Sequence, residues 1–286
     1  MFFNRRNFIK SSLIMSAGMT APSLKVCSEV NGKVLDEIQA HQKGIAVWWV
    51  GHNGWLIKSD NTLIGTDLPL ETKAREVPSP ITASELAGEL NYSFVTHEHG
   101  DHFERETSKI LIEQGSCTFV LPRSCLEAAR NEVGIPENRM ILAEPRKSFD
   151  AGDLHVEPIR AIHGDQKYAV YYHANLEDCG YVISMGGKRF LQVGDSVLLE
   201  DQLFLNDIDV LFFSPTEHNT YIDRSVILIN GLEPDYIFPQ HRNTFKVTPE
   251  NRFWTSAYPY EVKLRLSKTL QERYFILDMG EKKIIK

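Results

Sequence analysis

Three imidazoles and two carboxylates fall within six consecutive residues, His97-Glu98-His99-Gly100-Asp101-His102. Neutral imidazole and carboxylate are the donors that zinc, iron and manganese take. Without a cation between them, groups this crowded would repel or titrate against one another. A solvated loop that happens to be rich in histidine is the plain alternative, and it accounts poorly for such density. The chemistry in view is metal binding, and bound cations can activate water and polarise an electrophile.

Further donors stand in similar places. His163 is followed by Gly164-Asp165, Asp195 follows Gly194, and His241 follows Gln240. Each comes just past a run that reads as a strand: residues 155–162, 189–193 and 236–239. The hexapeptide follows a short strand at 93–96 and precedes a helix, with Gly100 supplying backbone freedom in the turn. Donors at the ends of several strands can converge on one edge of a sheet, whereas donors scattered along strand middles cannot.

His218, in Thr216-Glu217-His218-Asn219, follows an apolar run at 210–214. It either reaches the same edge, to bind substrate or act as an acid, or is a surface loop histidine. His52, in Gly51-His52-Asn53-Gly54, either supports a metal ligand or stabilises its turn. Arg242 and Lys246 could hold an anionic substrate group, though solvated loop charges are the simpler expectation. The Phe253-Trp254 and Tyr258–Tyr260 stretch is expected to pack in a core rather than wall a pocket. His41, His155 and His173 are expected to be structural or exposed.

The elements that must position these residues follow from patterning. Residues 45–50, 55–58 and 62–66 are β-like runs separated by Gly-Asn and Asp-Asn turns, a meander. Strands are further expected at 118–121, 140–142, 180–185 and 274–277. Helices are expected at 83–90, 105–114, 126–132, 224–231 and 259–270. Strands followed by interleaved helices, in two successive halves, suit two packed sheets with helices outside. Trp48 and Trp49 are adjacent, so they must face opposite sides of their strand.

The motif His97-x-His99-x-Asp101-His102, followed by His163, Gly194-Asp195 and His241, resembles the signature of metallo-β-lactamase-fold proteins. The resemblance covers about residue 44 to the C-terminus. It implies an α/β fold, a four-layer αββα sandwich with metals at one edge of the sheets. It also implies two divalent metal ions, zinc by default, with manganese or iron as alternatives. His97, His99 and His163 would hold the first, Asp101, His102 and His241 the second, and Asp195 would bridge them. Asp67 matches the family's early structural aspartate. Asp101, Asp195 and His218 are the candidate catalytic side chains.

The turn at 51–54 and Pro239-Gln240-His241 are similar to the branch with L-ascorbate-6-phosphate lactonase-like proteins and N-acylphosphatidylethanolamine phospholipase D. His99 stands where redox relatives of the flavodiiron type carry Glu, which favours hydrolysis. The implied reaction is attack of metal-bound hydroxide on an ester, lactone, amide or phosphodiester. A metal-dependent nuclease and a catalytically silent metal-binding module of the same fold are the alternatives.

Charge narrows the partners. Residues 1–27 hold Arg5, Arg6, Lys10 and Lys25 and no acid, so the net −7 of the chain splits into +4 there and −11 on residues 28–286. Nucleic-acid phosphates would repel such a body, and a small-molecule substrate, possibly anionic, is expected instead. No apolar run reaches the roughly 18–20 residues a membrane span needs. The opening Asn4-Arg5-Arg6-Asn7-Phe8-Ile9-Lys10, with a modestly apolar stretch after it, resembles a twin-arginine export signal. Residues 1–27 are therefore expected to be an export signal and residues 28–286 the hydrolase domain, delivered to the periplasm. An ordinary basic N-terminal helix is the alternative. None of the four cysteines has CxxC spacing. Buried thiols are preferred to a Cys117–Cys125 disulfide.

Overall fold

The computed structural model describes residues 24–162 and 175–286. His163 and His173, and the arginine pair near the N-terminus, lie outside them. In chain order the elements are α1 (Leu24–Ala40), β1 (Ile45–Gly51), β2 (Gly54–Ser59), β3 (Thr62–Thr66), α2 (Ala83–Ala87), β4 (Tyr92–Phe94), α3 (Arg105–Gln114), β5 (Thr118–Pro122), α4 (Leu126–Ala128), β6 (Met140–Ala143) and β7 (Phe149–Ala151). There follow β8 (Leu154–Arg160), β9 (Cys179–Met185), β10 (Lys188–Gln192), α5 (Glu200–Leu203), β11 (Val210–Phe213), α6 (Tyr221–Leu232), β12 (Tyr236–Pro239), α7 (Arg252–Thr255), α8 (Pro259–Arg265), α9 (Lys268–Glu272) and β13 (Lys282–Ile285).

Among the described residues the strands form two sheets, ordered β13-β1-β2-β3-β4-β5-β6 and β12-β11-β10-β9-β8-β7. The two share a plan. Antiparallel pairing joins β1 to β2 and β2 to β3, then parallel pairing takes over from β3 to β6. In the second sheet β7 to β10 are antiparallel, and β10 to β12 are parallel. The parallel strands of each sheet present their C-terminal ends together, where loops can carry functional side chains to one crevice.

Among the described residues, apolar cores separate the layers. Trp49, Trp55, Phe94, Tyr181, Phe212 and Phe238 fill the space between the sheets. Trp48, Leu56, Phe103 and Phe119 meet α1 to α4 on one outer face, and Leu191, Phe213 and Leu211 meet α6, α8 and α9 on the other. Every residue of β1 is buried, because its alternate side chains enter two different cores, Trp48 one and Trp49 the other. This is the expected αββα sandwich.

The local differences have physical causes. The helix expected over 126–132 is α4 alone, continued by a π turn over Ala129–Val133 and stopped by Gly134 at φ +78°. The helix expected over 259–270 breaks at Leu266-Ser267, where the Ser267 hydroxyl caps α9 by accepting from Leu270 N. The segment 274–277 is not a strand: Tyr274 makes an isolated bridge to Ile237. Two edge strands, β7 and β13, carry too little apolar pattern to stand out in sequence. Cys117, Cys125 and Cys179 are buried free thiols, so no Cys117–Cys125 disulfide forms.

Candidate metal centre

The hexapeptide sits immediately past β4, as expected. Asp67 follows β3, Asp195 follows β10, His218 follows β11 and His241 follows β12. The site is therefore assembled from the C-terminal ends of parallel strands in both sheets. Three of its residues take left-handed backbone conformations that non-glycine residues rarely adopt: His52 at φ 52°, Asp67 at φ 45° and His241 at φ 61°. Such strain persists where surrounding contacts impose it, and it clusters at functional sites. Here Asp67 N donates to Phe94 O at 2.9 Å, and His241 N donates to His52 O at 2.8 Å.

Asp67 is the anchor beneath the cluster. Its carboxylate accepts from Thr96 N at 2.8 Å, Thr96 Oγ1 at 2.9 Å and His102 Nδ1 at 3.0 Å. Carboxylates only accept, so the His102 proton lies on Nδ1 and Nε2 carries a lone pair. Thr96 has given its hydroxyl proton to Asp67, so it accepts from His97 Nδ1 at 3.1 Å. His241 Nδ1 donates to Trp254 O at 2.7 Å, which leaves its Nε2 an acceptor as well.

The two lone-pair nitrogens, His102 Nε2 and His241 Nε2, nevertheless face each other at 3.2 Å. Asp195 Oδ1 lies 2.8 Å from His241 Nε2 and 3.5 Å from His102 Nε2. Acceptors do not converge in a buried place unless positive charge sits among them. That charge is either an added proton or a metal cation. The donor set fits metal: imidazoles oriented by a carboxylate, a hydroxyl or a carbonyl at the far nitrogen.

The titration behaviour has the same cause. Burial opposes charge on His102, but Asp195, Asp67 and Asp101 outweigh it and hold the imidazole well above its usual range. Burial likewise opposes ionisation of Asp195, yet His241, His102 and His218 hold it well below the carboxylate range. Asp101 is held low by His102, His52 and His241 against its own burial. His99 is lowered by burial.

Two groups of donors lie close enough to hold an ion, His97–His102–Asp195 and His52–Asp101–His241, each with ligand atoms within 4.8 Å of one another. This grouping differs from the division implied by the resemblance. His99 belongs to neither group; its ring lies 4.7 Å from that of His97, with one edge open to solvent and the rest desolvated by its neighbours. His218 is buried, with Nε2 2.7 Å from Asp195 Oδ2 and Nδ1 near Phe253 O. The surface-loop alternative for His218 is thus excluded.

His52 is nearer the centre than a turn-stabilising role requires, its Nε2 lying 3.1 Å from Asp101 Oδ2. Burial and His241 depress its pKa to about 3. Its place just past β1, in a turn between glycines, is the same signal that marked the other donors. Arg242 is not a solvated charge. It is buried, stacked 3.9 Å over the Trp49 ring, and it donates to Leu277 O. It therefore faces away from any substrate anion. Phe253 and Trp254 are partly exposed rather than packed in a core. Trp254 and Phe245 line a cleft of about 580 Å³ that reaches Asp101.

Residues 46–241, more than half of the chain, match the model of the beta-lactamase superfamily domain. The chain belongs to that family. This β-lactamase-superfamily chain is 26% identical over 247 residues to a UPF0173 metal-dependent hydrolase of Desulforamulus reducens, covering 82% of this chain and 96% of that one. Among solved structures it is similar to Igni18, a metallo hydrolase from Ignicoccus hospitalis, with TM-score 0.65, 19% identity, and 85% and 98% of the two chains covered. It is also similar to CmlA, a diiron β-hydroxylase from Streptomyces venezuelae, with TM-score 0.62, 14% identity, and 85% and 54% covered. Such distant likenesses establish the metallo-β-lactamase fold, which hosts more than one chemistry. Among the described residues no helix is long and apolar enough to cross a membrane.

Proposed function

We propose that this superfamily member is a binuclear metal-dependent hydrolase acting on an ester, lactone, amide or phosphodiester of a small molecule. The observation that carries it is the 3.2 Å approach of His102 Nε2 and His241 Nε2 beside Asp195, with both Nδ1 atoms already committed. The relatives named metal-dependent hydrolases support the reaction class. His97, His99 and His163 would hold one ion, Asp101, His102 and His241 the other, with Asp195 shared. His52 lies within reach of the second group. When bound, divalent cations held by these residues would bring the pKa of a ligated water toward neutrality and polarise the scissile group. Zinc suits these nitrogen and oxygen donors, as do manganese and iron.

The chain's own residues supply orientation. Asp67, Thr96 and Trp254 O fix the rings of His102, His97 and His241 by their far nitrogens. Asp195 presents one oxygen to His241 and the other to His218. His218 holds that carboxylate through Nε2 and, as the candidate acid, would serve the departing group. The lactonase-like branch rests on the short motifs at 51–54 and 239–241, and within this proposal lactones head the substrate panel.

Metal analysis of the purified protein, then turnover of lactones, esters, amides and phosphodiesters with and without chelator, tests the proposal. His99→Ala and His241→Ala are expected to lower metal content and cut hydrolysis by at least about a hundredfold. Unchanged metal content and turnover in both variants would refute it.

A further inference from the structure

We propose that the cleft beside Asp101 receives an uncharged, apolar arm of the substrate, with Trp254 as the wall that contacts it. This rests on the hydrolase reading above and adds the substrate class to it. The cleft's volume, about 580 Å³, lies within the usual span of small-molecule sites. Asp101 and Gly100 line it, so it opens onto the metal centre itself.

One wall is aromatic. Phe245 and Trp254 meet edge to face, with centroids 5.8 Å apart. The His52 ring is 4.4 Å from Phe245 and 5.9 Å from Trp254, joining this wall to the site. Trp254 also accepts from His241 Nδ1 through its carbonyl. The residue that shapes the cleft is thus held in fixed relation to a metal-binding imidazole. An arm lying on the ring would place its reactive group at the centre, the use of remote binding that raises effective concentration.

The other wall has charge, but the charge is already used. Arg105 donates through Nη1 to Glu98 O and Phe103 O, both at 2.6 Å, and through Nε to Glu132 at 3.1 Å. Its guanidinium also lies 4.9 Å from the Phe103 ring centroid. The Glu104 carboxylate caps α3, accepting from Glu106 N and Thr107 N. An anionic arm would meet Glu104 and Glu132 and a guanidinium that is already neutralised. An apolar arm would meet no like charge and would cover the exposed part of Trp254.

Binding of three carboxylate probes to the zinc-loaded full chain, measured by calorimetry, tests this without turnover. The probes are acetate, glutarate and 4-phenylbutyrate. 4-Phenylbutyrate is expected to bind about tenfold or more tighter than acetate, from burial of its ring. Glutarate is expected to gain nothing over acetate. Trp254→Ala should erase most of the phenylbutyrate advantage, and Trp254→Phe should keep most of it. Phe245→Leu gives a parallel comparison if the alanine variant fails to load metal. Equal affinities for acetate and 4-phenylbutyrate, or tightest binding of glutarate, overturn the assignment. Failure of the hydrolase reading is seen separately, as no turnover across the panel with the probe ranking intact.

Discussion

At the scale of single residues, the site is a problem in assigning protons. Asp67, Thr96 and Trp254 O decide where the protons sit on three imidazoles, and so which nitrogens are left to bind a cation. The donors themselves were legible in sequence, since His97 to His102, Asp195 and His241 all sit just past strands. Their orientation was not, because it depends on contacts such as Asp67 with His102 across 35 positions. Arg242 was misjudged for a related reason: no pattern in the sequence shows that Trp49 lies under its guanidinium. His52 yields a pH prediction. Its folded pKa of about 3 lies below the unfolded 6.5. The unfolded chain therefore takes up a proton first as pH falls, and the stability due to neutral His52, complete above 6.5, is lost towards pH 3. His52→Gln keeps a donor for Asp101 but removes this titration. In chelated protein its melting temperature should fall less steeply on acidification, the difference reaching about 2 kcal/mol at pH 5. Parallel melting curves for the two proteins across that range would contradict the assignment.

At the scale of elements, short turns after strands determine what the centre can be. Gly194 has φ +62°, and a Cβ there would meet the Thr96 Cβ at 2.7 Å. Thr96 and Asp195 are therefore set by the same close approach. Gly194→Ala is expected to cost about 1–3 kcal/mol through strain and to displace one of the two. Lower metal content together with a lower melting point in the variant is the expected pair of results, and wild-type values for both would contradict it. The strands of the inner layers were readable because their apolar runs are continuous. The edge strands β7 and β13 were not, and the 259–270 helix was over-read because Leu266-Ser267 interrupts no apolar period. The break becomes visible only through the Ser267 cap.

At the scale of the whole molecule, the uneven charge suggests where the protein works. We infer export from the +4 segment ahead of a −11 body. Fusion of residues 1–27 to a reporter should carry it across the inner membrane, and replacing Arg5 and Arg6 by lysines should abolish that transport. Transport unaffected by the lysine pair would overturn the inference. The αββα architecture was legible from the family resemblance of the metal motif, but the substrate was not, since the cleft is built by Phe245 and Trp254, far from the motif. The site also takes its donors from both sheets. His97, Asp101 and His102 leave one, and Asp195 and His241 leave the other. A bound ion would therefore act as a rivet through the sandwich, coupling metal occupancy to resistance against the two sheets sliding apart. Starved of metal, the two halves would rely on the apolar layer between them and on hydrogen bonds that cross it, such as Trp55 Nε1 to Gln240 Oε1 and Tyr181 Oη to Val95 O.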